Sequence, residues 1–105
     1  MIHNESLEKT NLEVLLKQLI QMRPGIVAAY EKQDWDRLLF IIGKLYKEWN
    51  ATQYYSLTKS LKTMSKCITL FLENQETNFE KGSKYAMILA YGKLNYEINQ
   101  ILIKH

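Results

Sequence analysis

The stretch Asp34–Thr52, "DWDRLLFIIGKLYKEWNAT", decides the fold. Trp35, Leu38, Ile42, Leu45 and Trp49 recur at steps of three, four, three and four. That spacing gathers them on one wide apolar face of a helix, and Asp34 is of the type that caps a first turn. One residue breaks the pattern. Gly43 sits in mid-helix, where glycine costs roughly 1 kcal/mol relative to alanine, so the position calls for a compensating reason in packing, in partner contact or in ancestry.

Outward from this segment the same periodicity continues in both directions. On the N-terminal side, "TNLE" begins a helix: Thr10 caps, Glu13 reaches back, and Leu12, Leu15, Leu16 and Leu19 share a face as far as about Met22. Pro24 suits a first helical turn and clashes with continuation, so "RPGIVAAYEKQ" reads as a kink or as a short extra helix with Ile26, Val27 and Tyr30 inward. On the C-terminal side, Asn50 can end the central helix and Thr52 can start the next, which carries Leu57, Leu61, Met64, Ile68 and Phe71. After the polar break "ENQETNFEKGS", the last helix runs from Ser83 with Met87, Tyr91, Leu94, Ile98 and Ile101 on one face. The spacing predicts one all-α domain over residues 1–105, an up-and-down antiparallel four-helix bundle with a kinked or extra N-terminal helix.

Bulk properties agree with one folded domain and narrow the function. The chain has 105 residues, 47% hydrophobic and 24% charged, with a net charge of +3, inside the globular range and without a concentrated basic tail. The N-terminus lacks the basic-then-apolar order of a signal peptide, and "LLFII" and "MILA" fall far short of the roughly 20 residues that span a bilayer. A cytoplasmic location is therefore expected, and the single cysteine, Cys67, agrees with a reducing compartment. The glycosylation-like triplets "NES" at Asn4 and "NAT" at Asn50 are read as chance.

The search for chemistry is mostly negative. The two histidines, His3 and His105, lie at the chain ends, poor places for a preorganised acid, base or metal ligand. Cys67 lies between Met64 and Ile68 on a packed helix, as a small buried residue would. No phosphate-binding glycine loop, paired-cysteine spacing or nucleophile elbow occurs. No enzyme activity and no cofactor are expected. Lys59, Lys62 and Lys66 line one helix face, and Lys44 with Lys47 adds a basic spot. A solvated face is the plain reading of these lysines; contact with nucleic-acid phosphates is the functional one. "QYYS" sets Tyr54 and Tyr55 side by side, so one of them should face outward.

The segment "AAYEKQDWDRLLFIIGKLYKEWNA" resembles the central part of the histidine-containing phosphotransfer (HPt) domains of two-component signalling. Ala28, Ala29, Asp34 and Leu38 match the lead-in, and Lys44 and Leu45 match the two places after the phosphoacceptor histidine. The histidine position itself is Gly43, Tyr46 stands in place of a lysine, and Lys47 in place of a small glycine. The preceding helix, the following helix and the closing helix resemble the family more loosely. The resemblance implies a four-helix regulatory protein that docks a receiver domain or kinase without phosphotransfer, no imidazole being left to take a phosphoryl group.

The residues thus lead to a protein–protein interaction module using the strip Leu39, Phe40, Gly43, Lys44, Tyr46 and Lys47, with no membrane association. A nucleic-acid-binding helical subunit is the alternative, and a small immunity or phage-type bundle a third. For Gly43 the simpler expectation is close packing against another helix of the bundle, and the other is approach by a partner's backbone.

Overall fold

The computed structural model describes the backbone from residue 2 to residue 105 and side chains from residue 11 onward. It is all-α: helix α1 spans Ile2–Glu31, α2 Trp35–Trp49, α3 Tyr55–Glu73 and α4 Glu80–Lys104, with no strand among the described residues. Each helix packs against its neighbour in the chain, and α1 also touches α4, giving a compact bundle-like fold. Trp35 at the start of α2 meets Phe71 near the end of α3, rings edge-on at 5.7 Å. Asn74, after α3, donates from Nδ2 to Ser83 Oγ in α4 at 2.9 Å, while Tyr54 before α3 meets His105 after α4. These contacts tie α2 to α3 and α3 to α4 at their ends.

The core contains the residues that the helical periodicity singles out. Leu38, Ile42, Leu45 and Trp49 of α2, Leu57, Leu61, Met64, Ile68 and Phe71 of α3, and Met87, Leu94, Ile98 and Ile101 of α4 are buried, with Leu19, Ile26 and Ala29 from α1. Trp35 and Tyr91 are half-buried at its edge. Tyr91 stacks on Tyr30, ring centroids 3.6 Å apart and planes 6° from parallel, fixing α1 to α4.

Four boundaries differ from the expectation, each for a local reason. Helix α1 does not begin at Thr10 but runs from Ile2; Glu5, Leu7, Glu8 and Lys9 are helix formers, and acids near an N-terminus suit the helix dipole. No extra helix starts at Pro24, which lies inside α1. Pro24 is exposed while Ile26 and Ala29 beyond it are buried, so core contacts offset the backbone hydrogen bond that proline removes. The cap of α3 is Tyr54 and not Thr52. Thr52 Oγ1 instead donates to Trp49 O at 2.7 Å and accepts from Tyr54 N at 3.2 Å, pinning the turn. Finally, α4 begins three residues earlier than Ser83, at Glu80.

Asp34 caps α2 as expected, its carboxylate accepting from Arg37 N at 3.3 Å. Just before it the end of α1 is closed by Gln33 in the left-handed region, φ 58°. Asp34 N donates back to Ala29 O at 2.8 Å and Gln33 N to Tyr30 O at 3.1 Å, the two-bond termination usually built with glycine.

Two partly buried acidic groups, Tyr30 and Cys67, are expected to make stability fall at alkaline pH. Burial, then the neighbouring Tyr91 phenol, pushes the Tyr30 hydroxyl above its ordinary 10.0, and burial alone pushes the Cys67 thiol above its ordinary 9.0. A folded-state pKa above the unfolded one contributes stability that is complete below the unfolded value and lost as pH rises through the folded one. Melting temperature is therefore expected to fall as pH passes 9.0 and fall further past 10.0. A Cys67→Ser, Tyr30→Phe double variant should lose less over that window; an equal loss would assign the alkaline limit to other groups.

Candidate functional site

The six residues of the predicted strip occupy α2 at different depths. Leu39 and Tyr46 are half-buried and packed against the core, whereas Gly43, Lys44 and Lys47 are exposed and Phe40 keeps 71% of its surface in solvent. The reason is helical geometry: at 3.6 residues per turn, Leu39 and Tyr46 flank the Ile42 face, and Phe40, Gly43 and Lys47 fall on the side turned away from the core.

Gly43 does not pack against another helix. A Cβ built on it would meet no atom within 4 Å, which overturns the simpler expectation that the glycine serves close packing inside the bundle. Gly43 instead lies on the wall of an open groove of about 560 Å³ between α2 and α3. Ile42, Gly43 and Tyr46 line it from α2, and Leu61, Lys62, Lys66 and Leu70 are among its residues from α3. Its floor is apolar and its α3 edge carries lysine ammonium groups. Glu73, at the far end of α3, is its only acidic lining residue among those described.

The structure therefore brings together two features that appear separate in the sequence. Lys62 and Lys66 of the basic stripe and Gly43 of the apolar strip share one groove, while Lys59, exposed one turn away on α3, does not line it. Phe40, Lys44, Lys47 and Leu39 are likewise not among the lining residues. Leu70, 52% exposed and lining the groove, and the α3 lysines lie outside the strip that the sequence predicts. The short α2–α3 connection indicates that the helices are neighbours but not which flanks face each other.

Elsewhere, Tyr55 is exposed and Tyr54 half-buried, as the adjacent pair required. Tyr54 packs edge-on against Trp49 at 5.3 Å and its hydroxyl lies 3.0 Å from Nε2 of the exposed His105. His3 has its side chain outside the described residues. Cys67 is half-buried, and burial pushes its thiol above the ordinary 9.0, away from the low pKa of a reactive nucleophile. Among the described residues no cluster of three or more His, Cys, Asp or Glu side chains is arranged to hold a metal ion, and no helix is long and apolar enough to cross a membrane. Comparison with protein-family models, with characterised proteins and with solved structures finds no match to this chain.

Proposed function

We propose that this chain is a non-enzymatic, cytoplasmic protein-interaction module that binds a partner across α2 and the α2–α3 groove. The observation that carries the reading is the open Gly43 beside an apolar floor. An exposed mid-helix glycine with no packing role inside the bundle leaves room for a partner backbone to lie close, while Phe40 at 71% exposure offers an apolar anchor beside it. Lys44, Lys47, Lys62 and Lys66 around this surface favour a partner with acidic groups. The HPt resemblance narrows the partner to a receiver domain or a kinase, docked without phosphoryl transfer.

Titration of the purified protein with candidate receiver domains tests this. Gly43→Arg should cut affinity at least about tenfold, the size of effect that a central interface residue carries, while leaving the melting temperature close to that of the parent because the site is open. Binding that is unaltered by Gly43→Arg and by Phe40→Ala would remove this surface from the proposal.

A second reading, nucleic-acid binding, draws on the presence of Lys62 and Lys66 in the groove. It requires RNA or DNA binding that falls steeply with salt, and absence of binding at low salt would end it.

A further inference from the structure

Tyr30 with Trp35, Trp35 with Phe71 and Trp49 with Tyr54 all meet edge-on, an arrangement that the ring quadrupole favours. Tyr30 and Tyr91 do not. Their rings lie face to face, centroids 3.6 Å apart and planes 6° from parallel, closer than the roughly 4.5–7 Å at which aromatic pairs usually sit. So short a centroid separation leaves little lateral offset, and the carbons ortho to each hydroxyl are in van der Waals contact with the other ring. Both side chains are only half-buried, so a small oxidant can reach the edge of the stack from solvent.

From this geometry we infer that Tyr30 and Tyr91 are an oxidative cross-linking site, which hydrogen peroxide, activated by a haem peroxidase, converts to dityrosine. Each phenol gives one electron and one proton to the oxidant. Burial and the neighbouring Tyr91 phenol hold the Tyr30 hydroxyl above its ordinary 10.0, so it is uncharged at physiological pH and its proton leaves with the electron. The two phenoxyl radicals meet through their ring faces, where the unpaired electrons reside, and a bond forms between one ortho carbon of each. The hydrogen on each of these carbons then moves to the phenol oxygen, which restores both aromatic rings. Two phenols and one hydrogen peroxide thus give one biphenol and two waters.

The remaining tyrosines offer no equivalent pair. Tyr54 and Tyr55, adjacent in sequence, turn to different environments, half-buried and exposed. Tyr55, Tyr85 and Tyr96 stand on the surface, where they couple between molecules in proportion to concentration. The new bond joins the first helix to the last. Neither tyrosine lines the α2–α3 groove, so the modified chain keeps the proposed docking surface open while α1 is held covalently against α4.

The test oxidises the full chain, in a Cys67→Ser background at low micromolar concentration, with a haem peroxidase and hydrogen peroxide. Dityrosine fluorescence, intact mass and peptide mapping are the readouts. The parent should give a monomer lighter by two hydrogens, with Tyr30 joined to Tyr91 and a yield per molecule unchanged on dilution. It should migrate faster in a denaturing gel, because the closed loop cannot extend. Tyr30→Phe and Tyr91→Phe keep the apolar ring, and each should abolish this product while the exposed tyrosines still couple between molecules. Unfolding the parent in urea beforehand should abolish it too, since the stack exists only in the fold. A monomeric cross-link that persists in either variant or in urea would overturn the inference. So would a parent that gives none while N-acetyltyrosine added to the same solution dimerises.

Discussion

Trp49→Ala is expected to destabilise the protein by about 3–5 kcal/mol, enough to leave a domain of this size largely unfolded, since total stabilities are only about 5–15 kcal/mol. Trp49 is the largest fully buried side chain, and it ends α2 where three parts of the chain converge. Its carbonyl accepts from Thr52 Oγ1, its ring meets Tyr54 edge-on, and Tyr54 in turn contacts His105 beyond α4. Removing the indole opens a cavity at the junction of α2, α3 and the end of α4. Trp49→Phe separates packing from polarity. The indole Nε1 is buried and finds no hydrogen-bond acceptor among the described residues, a state that costs about 1–3 kcal/mol. Phenylalanine removes that donor while keeping most of the apolar volume, so its net cost should stay within about 2 kcal/mol. Urea denaturation of both variants decides it: a phenylalanine variant as unstable as the alanine one would mean that the indole nitrogen is satisfied and contributes to the fold.

The contrast between Trp49 and Gly43 shows what the sequence reveals and what it hides. Burial of Trp49 is legible because a three–four spacing shared with Leu38, Ile42 and Leu45 leaves one way to bury all four. The openness of Gly43 is not legible, since spacing puts it on the side of α2 turned away from the Leu38–Trp49 face but does not say how closely α3 packs along that flank. For the same reason Lys62 and Lys66 read as a solvated stripe until the rotation of α3 sets them across a groove from Gly43. Helix ends fail differently. Thr52 has the chemistry of a cap but spends both its hydrogen bonds on the turn, and Gln33 adopts a left-handed conformation that residue type alone would assign to glycine or asparagine. In α4 the periodicity of the inward face is so regular that the exposed Ile88, Leu89 and Tyr96 around Gly92 pass unnoticed beside it.

Replacing Gly43, Gly82 and Gly92 together by alanine should raise stability by about 2–3 kcal/mol, and the melting temperature by roughly 10–20 °C for a chain of this length. All three lie within helices, and at none would an added Cβ meet an atom within 4 Å, so the variant gains helix propensity without a packing penalty. The sites are far enough apart along α4, and from α2, for their effects to add; Gly82, in the opening turns of α4, should contribute least. Gly25 is the internal control, because a Cβ there would stand 3.3 Å from Ile41 Cδ1 and Gly25→Ala should gain less than the open sites. Thermal melts of the single and triple variants test the set, and a Gly43→Ala protein no more stable than its parent would mean that α2 is covered at that point. The same variants then separate folding from recognition. If the bundle is stabilised by alanine at Gly43 while Gly43→Arg abolishes partner binding without disturbing the melt, the glycine's cost to the helix is matched by what approaches it from outside. If both variants bind as the parent does, the docking surface must be sought away from the α2–α3 groove, with the outer face of α4 the next apolar surface to test.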